Sequence, residues 1–277
     1  MTASEMVTDR HLDDAYNNQA TVSNMPEIRA DWASRSRKIR SEHGRLLDLR
    51  FGDGARERLD LFLASEPNAP TVTYIHGGYW QANDKENYAF VAEGPLSAGF
   101  NVAVIEYTIA PEGTIEQMTA EMGRAASWLH ENLAAHGADP RRVYMAGHSS
   151  GGHLTAQNID HGGLRGGIAI SGVFDLQPMR FTKYNDKLGL TLESAKANSP
   201  IFNPPKRSAP LLVAYGGAEL PAFHRQSQDF VRTWQSRGLS CSLLEVPGAN
   251  HFSVVEALAS PSGLILQEFK KMAARDR

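Results

Sequence analysis

The chain has 277 residues, of which 42% are hydrophobic and 21% charged, with a formal net charge of −3. That length and balance fit one α/β domain with a sizeable core, and a weakly acidic chain has no electrostatic drive toward nucleic acid or an anionic membrane. No apolar run reaches membrane-spanning length, the polar opening 1–14 has no apolar core for a secretory signal, and a single cysteine, Cys241, excludes an intrachain disulfide and fits a reducing cytoplasm.

Two polar helical segments open the sequence, over about 11–18 and 26–43. Pro26 begins the second, where its missing N–H costs nothing. Strand-like runs follow at 46–51, 59–63, 71–75 and 102–107, then a long helix over 114–135. Further strand-like runs lie at 143–146, 168–171, 211–215 and 242–246. Helices are expected over 152–159, 221–237 and 264–274. Short apolar strands alternating with amphipathic helices imply βαβ units, hence a mostly parallel sheet with helices on both faces. The early strand pair before Thr71 suggests an antiparallel beginning to that sheet. Residues 174–210, rich in Pro, Lys and Asn with scattered aromatics, break the rhythm. They read as a short cap over the C-terminal sheet edge, where open α/β folds bind ligands. No repeat or linker divides 1–277, so 1–45 is taken as a helical segment of a single domain. Cys241 falls in a strand-like run, where a buried, inert thiol is expected.

The pentapeptide Gly147-His148-Ser149-Ser150-Gly151 joins a strand-like run to a helix-compatible one. There a G-x-S-x-G is a nucleophile elbow, a turn so tight that only small residues fit around the serine. The pattern arises by chance in roughly one chain in ten of this length, so context has to decide. A serine hydroxyl is a poor nucleophile without a base in hydrogen-bond reach, itself held by an acid. After an elbow, chain order should be serine, acid, histidine, each following a strand. Glu219 ends the segment Gly216-Gly217-Ala218-Glu219, directly after the run 211–215. His251 lies in Pro247-Gly248-Ala249-Asn250-His251-Phe252, directly after 242–246. Ser149, Glu219 and His251 are therefore the candidate catalytic residues. Asp175 competes as the acid, since it too follows a strand, although capping the turn into 174–210 is its commoner role. His130, His136 and His224 sit in helical segments, and His11 and His43 precede the sheet.

Acyl transfer also needs N–H donors aimed at an oxyanion. His76-Gly77-Gly78-Tyr79-Trp80 follows the run 71–75, the position expected for one half of that hole. Gly77 and Gly78 let backbone approach substrate with no Cβ in the way, and the Ser150 N–H would complete the set. A second His-Gly-Gly, at 161–163, follows a helix instead and reads as a C-cap turn. Metal chemistry is not indicated: His130 and His136 fall on different helix faces, and no H-E-x-x-H occurs. The glycines of 162–167 lack the Lys-Ser/Thr of a phosphate loop, and His153 is expected to pack near the sheet. Neither metal nor cofactor is expected.

On these motifs the chain resembles the α/β-hydrolase superfamily, in the HGG-bearing branch of hormone-sensitive-lipase-like esterases and arylformamidases (kynurenine formamidases). The resemblance spans nearly the whole chain. It rests on Asp13-Asp14-Ala15-Tyr16-Asn17-Asn18, Leu59-Asp60-Leu61-Phe62, His76 to Trp80, Tyr107-Thr108-Ile109-Ala110-Pro111-Glu112, the elbow, and Ser171-Gly172-Val173-Phe174-Asp175-Leu176. The Tyr-Asn-Asn opening and the Tyr-Trp after HGG look more like the arylformamidases than the lipases. One departure is Glu219, where many relatives carry Asp. The resemblance implies an α/β-hydrolase fold and a serine hydrolase cleaving a small aryl amide, an N-formyl or N-acyl arylamine. A short-acyl carboxylesterase is the alternative; a non-catalytic small-molecule receptor on the same fold is the alternative from another class. Tyr79, Trp80, Phe174 and Phe252 are candidates for the substrate pocket, and Tyr16 and Asn17 for its entrance. The partner expected is a small ester or amide. A homodimer is compatible with the sequence, which carries no signature of oligomeric state.

Overall fold

The computed structural model describes residues 9–275, so the first eight residues of the polar opening lie outside the described residues. Helix α1 (Arg10–Tyr16) is capped by Asp9, whose side chain accepts from the His11 N–H. Helix α2 (Met25–His43) carries Pro26 in its first turn, as expected from the sequence. Strands β1 (Leu46–Arg50), β2 (Arg58–Phe62), β3 (Thr71–Ile75) and β4 (Asn101–Ile105) follow, with helix α3 (Glu93–Ser97) before β4. Then come α4 (Ile115–Asn132), β5 (Val143–His148), α5 (Ser150–Asn158) and β6 (Leu164–Ile170). The remainder is α6 (Asn185–Leu188), α7 (Leu192–Ala197), β7 (Leu211–Gly216), α8 (Pro221–Ser236), β8 (Cys241–Val246), α9 (Glu256–Ala259) and α10 (Leu264–Ala274).

The eight strands form one sheet in the order β1-β2-β4-β3-β5-β6-β7-β8. Strand β2 pairs antiparallel with both β1 and β4; every pairing from β4 to β8 is parallel. The antiparallel beginning and the parallel body are both as the hydrophobic pattern implied. Strands β3, β4 and β5 are buried along their full length, which is why they read as continuous apolar runs rather than alternating ones. Period-two geometry still divides their side chains between two cores. Ala103 and Ile105 face a core with Met118, Met122 and Leu129 of α4 and Phe223, Phe230 and Trp234 of α8. Val102 and Val104 face the other, with Trp32 and Ile39 of α2 and Phe269 of α10.

Besides small shifts at other element ends, three features differ from the sequence pattern. Strand β6 begins at Leu164 rather than 168, because Gly166 and Gly167 extend it without apolar side chains. Helix α5 begins at Ser150 rather than 152, immediately after Ser149. The interval 81–100 contains a 3-10 helix, Lys85–Ala92, running into α3. Lys85 hides it from a hydropathy reading. This lysine is fully buried, with Asp60 at 2.8 Å, Asp48 at 2.9 Å and Glu86 at 2.7 Å, and lysines are buried almost only when paired. Segment 174–210 holds a 3-10 turn, Pro178–Phe181, with α6 and α7. Among the described residues, no helix is long and apolar enough to cross a membrane.

Candidate active site

The parallel strands end at one edge, and the loops after β3, β5, β6, β7 and β8 meet there. Ser149 sits between β5 and α5 with φ 57° and ψ −118°, a strained conformation for a residue with a side chain. The flanking glycines explain how the turn closes. A Cβ on Gly151 would lie 2.0 Å from the Ile75 carbonyl oxygen, and one on Gly147 would lie 2.2 Å from that of Gly151. The Ser149 N–H donates to the Ile170 carbonyl at 2.8 Å, tying the elbow to β6.

Three distant segments converge on this serine. His251 Nε2 is 3.1 Å from Ser149 Oγ, and His251 Nδ1 is 2.8 Å from Glu219 Oε2. All three are nearly enclosed: Ser149 and His251 are 3% exposed, and Glu219 is 7% exposed. The other Glu219 oxygen accepts from the Gly216 N–H at 2.6 Å and from the Ser171 hydroxyl at 2.5 Å. The carboxylate therefore has donors on both oxygens, as a buried charge requires. Asp175 plays the other part foreseen for it, accepting from the Gln177 N–H at 2.9 Å in the turn leaving β6.

Two residues the sequence did not single out hold this arrangement. Ser171, just beyond β6, orients Glu219 through its hydroxyl. His148 precedes the serine, and its Nε2 donates to the His251 backbone carbonyl at 2.8 Å, with ring centroids 4.7 Å apart. Burial, reinforced by the neighbouring His251, holds the His148 imidazole well below the ordinary histidine range. It stays neutral, with its proton on the nitrogen that anchors the His251 loop.

Gly77 lies beside the serine, and Gly78, at φ 134°, turns the chain away toward Ala82 and Asn83. A Cβ on Gly77 would meet Ser149 Cβ at 2.9 Å, so the close approach requires glycine. Ser150 is the first residue of α5, where helix geometry leaves the N–H without an intrahelical acceptor. The loop of Gly77 is pinned from several sides. Asn83 Nδ2 donates to the Gly77 carbonyl at 2.8 Å, and the Tyr107 hydroxyl donates to the His76 carbonyl at 3.1 Å. His76 Nε2 is 3.1 Å from Glu106, which also takes Arg56 at 2.6 Å. Burial pushes the Glu106 carboxyl up, but the contacts to His76 and Arg56 outweigh it and leave the pKa lowered.

The aromatic candidates take different places. Trp80 is fully buried, edge-on to His153 at 5.2 Å. Phe174 is fully buried and stacked on Phe230 at 4.1 Å. Tyr79 stacks on Tyr184 at 3.8 Å, and its hydroxyl donates to the Tyr16 carbonyl and accepts from Asn18. Phe252 is edge-on to His251 at 5.6 Å and lines a cavity of about 390 Å³. Tyr16 is buried against Phe223, whose ring lies 4.5 Å from that of His251. His153 is buried, with Nε2 donating to the Asn198 carbonyl at 2.7 Å. His161 N bonds to the Asn158 carbonyl, closing the turn after α5.

A largely parallel eight-stranded sheet flanked by helices, with a serine on a strained strand-to-helix elbow, defines an α/β-hydrolase. Comparison with known proteins agrees. A family model described as BD-FAE matches residues 59–159. A kynurenine formamidase of Danio rerio is 30% identical over 257 residues, covering 87% of this chain and 86% of that protein. That of Drosophila melanogaster is 25% identical, covering 80% of this chain and 82% of the other. A crystal structure of a protein designated a thioesterase, from Silicibacter sp. TM1040, superposes with a TM-score of 0.85 at 32% identity, covering 94% of this chain and 98% of that one. The chain belongs to the arylformamidase branch of the α/β-hydrolases, the family of the kynurenine formamidases, and is a hydrolase.

Proposed function

We propose that the protein is a serine hydrolase that cleaves small aryl amides, of the N-formyl or N-acyl arylamine class, through an acyl-enzyme. The observation that carries this reading is the continuous hydrogen-bonded chain Ser149–His251–Glu219 at 3.1 and 2.8 Å. Ser149 Oγ attacks the acyl carbonyl as His251 Nε2 takes its proton, and Glu219 steadies the resulting imidazolium. The N–H groups of Gly77, Gly78 and Ser150 hold the oxyanion. His251 then gives its proton to the amine nitrogen, the C–N bond breaks, and the arylamine leaves. Water attacks the acyl-serine, its proton passing through His251 to Ser149 Oγ as the carboxylic acid departs. No cofactor takes part in these steps. A single buried free thiol suits a reducing cytoplasm as the compartment.

Alignment over most of both chains with kynurenine formamidases supports the amide side of this reading. Esters and thioesters pass through the same tetrahedral intermediate, and the thioesterase-designated relative favours testing them as a second reading. The test is a hydrolysis panel of N-formylkynurenine, N-acylanthranilates, p-nitrophenyl esters and short-acyl thioesters. Preferred turnover of the anilides supports the proposal. Cleavage confined to short aliphatic esters or thioesters contradicts it. A receptor without activated serine would leave a fluorophosphonate probe unreacted.

A further inference from the structure

The N–H and C=O of a peptide form one conjugated group, so a hydrogen bond to the carbonyl makes the N–H a stronger donor. The Gly77 N–H shares its peptide with the His76 carbonyl, the Gly78 N–H with the Gly77 carbonyl, and the Ser150 N–H with the Ser149 carbonyl. All three carbonyls are engaged. That of Ser149 accepts from the His153 N–H at 3.1 Å, in the first turn of α5. That of Gly77 accepts from Asn83 Nδ2 at 2.8 Å and from His76 Nδ1 at 2.9 Å. That of His76 accepts from the Tyr107 hydroxyl at 3.1 Å.

Tyr107 differs from Asn83 in its surroundings. Asn83 is exposed, so water can stand in for its amide, whereas Tyr107 is fully buried. Its ring stacks on His76 at 4.5 Å, its N–H donates to Glu106 at 3.0 Å, and its carbonyl accepts from Arg56 Nε at 2.8 Å. Burial pushes the Tyr107 phenol well above the ordinary tyrosine range, so the proton stays on it. A phenol has one proton to give. With that proton on the His76 carbonyl, Tyr107 accepts from the Ser150 hydroxyl, 3.4 Å away. The chain of bonds therefore runs from the serine elbow, through Tyr107, to the loop after β3. It joins the two halves of the oxyanion hole.

We propose that Tyr107 is a positioning residue of the oxyanion hole: its hydroxyl holds and polarises the peptide that presents the Gly77 N–H, and ties that loop to the elbow. This role presupposes the serine mechanism proposed above and adds a residue to it. A direct oxyanion donor is worth ~10²–10³-fold in kcat. Strengthening such a donor by roughly 10–30% through a bonded neighbour corresponds to about 2- to 8-fold. The gain arises as negative charge develops, so it belongs in kcat and not in KM.

Tyr107→Phe keeps the ring against His76 and removes the bond. On an activated aryl ester, with active sites counted by a fluorophosphonate, kcat should fall by about 2- to 8-fold with KM little changed. A second readout separates polarisation from a merely structural role. An aryl trifluoromethyl ketone, carbon-13 labelled at its carbonyl, should add to Ser149: the Oγ–C bond forms, His251 takes the serine proton, and the carbonyl oxygen becomes the oxyanion of a hemiketal. The apparent pKa of that oxygen, read from the carbon shift against pH, should be higher in Tyr107→Phe by ~0.3–0.9, the same factor on a logarithmic scale. Replacing Tyr107 with a ring-fluorinated tyrosine, whose phenol is a stronger donor, should lower it; this replacement keeps every contact and carries the test if Tyr107→Phe fails to fold. An unchanged kcat in Tyr107→Phe, or a hemiketal pKa that moves in neither protein, overturns the inference and leaves the serine mechanism standing. Absence of a hemiketal in wild type, or its formation in Ser149→Ala, defeats the serine mechanism and the inference with it.

Discussion

Replacing Glu219 by Gln tests the hydrogen-bond logic of the site more closely than deleting any side chain. The carboxylate accepts on both oxygens: from Ser171 and Gly216 on one, from His251 Nδ1 on the other. A glutamine has one oxygen to offer. Placed toward His251, it turns the NH2 against the Gly216 N–H, which cannot rotate away; a buried donor left unpaired costs ~1–3 kcal/mol. The Ser171 hydroxyl can turn and accept, so the penalty falls on Gly216 alone. Placed toward Gly216, the oxygen satisfies that donor and the NH2 faces His251 Nδ1. The imidazole then carries its proton on Nε2, where it cannot take one from Ser149. This second arrangement should dominate, and kcat should fall by ~10⁴-fold with the fold retained. The assay is hydrolysis of an activated aryl ester alongside thermal unfolding of the same sample. A loss below about tenfold in a folded protein would refute the reasoning.

Other expectations follow from the same structure. Ser171→Ala leaves Glu219 with the Gly216 and His251 donors and should lower kcat by ~10-fold with little change in KM, consistent with loss of one charge-assisted hydrogen bond of ~1.5 kcal/mol or more; an equal rise in KM would argue against a positioning role. Burial, partly offset by the Asn198 carbonyl, lowers the His153 pKa to about 4 from 6.5. Because the unfolded chain then binds the proton first, this group's contribution to stability is present above pH 6.5 and lost as pH falls toward 4, by ~3 kcal/mol in total. Urea melts across that range should flatten in His153→Asn; an unchanged slope contradicts the assignment. Burial pushes the Cys241 thiol up to about 12, so the folded protein should resist thiol alkylation at neutral pH and react only on unfolding. Gly151→Ala should yield little folded protein, since its methyl would sit 2.0 Å from backbone oxygen.

The sheet was legible because buried parallel strands write themselves as apolar runs, as at β3 and β5. The elbow then constrained what had to follow: a turn that presents Ser149 needs an acid and a base after later strands, and Glu219 and His251 were the residues so placed. What escaped was held by contacts between distant segments. Ser171 is a small polar residue with no signature until β6 and β7 set it beside Glu219. His148 sits within the motif, yet its bond to the His251 carbonyl depends on a loop 103 residues away. The 3-10 helix at Lys85 was hidden because its buried face includes a lysine whose partners, Asp48 and Asp60, come from β1 and β2. Aromatic residues were least legible of all. Trp80 and Phe252 look equivalent beside their motifs, but one is sealed in the core and the other borders open space.

The account stands or falls on Ser149 as the nucleophile. Wild type and Ser149→Ala should be compared for release of arylamine from an N-formylaniline, with folding verified in both. The account predicts a loss of at least ~10⁴-fold with the fold intact. Near-normal hydrolysis by the folded Ser149→Ala protein would contradict it.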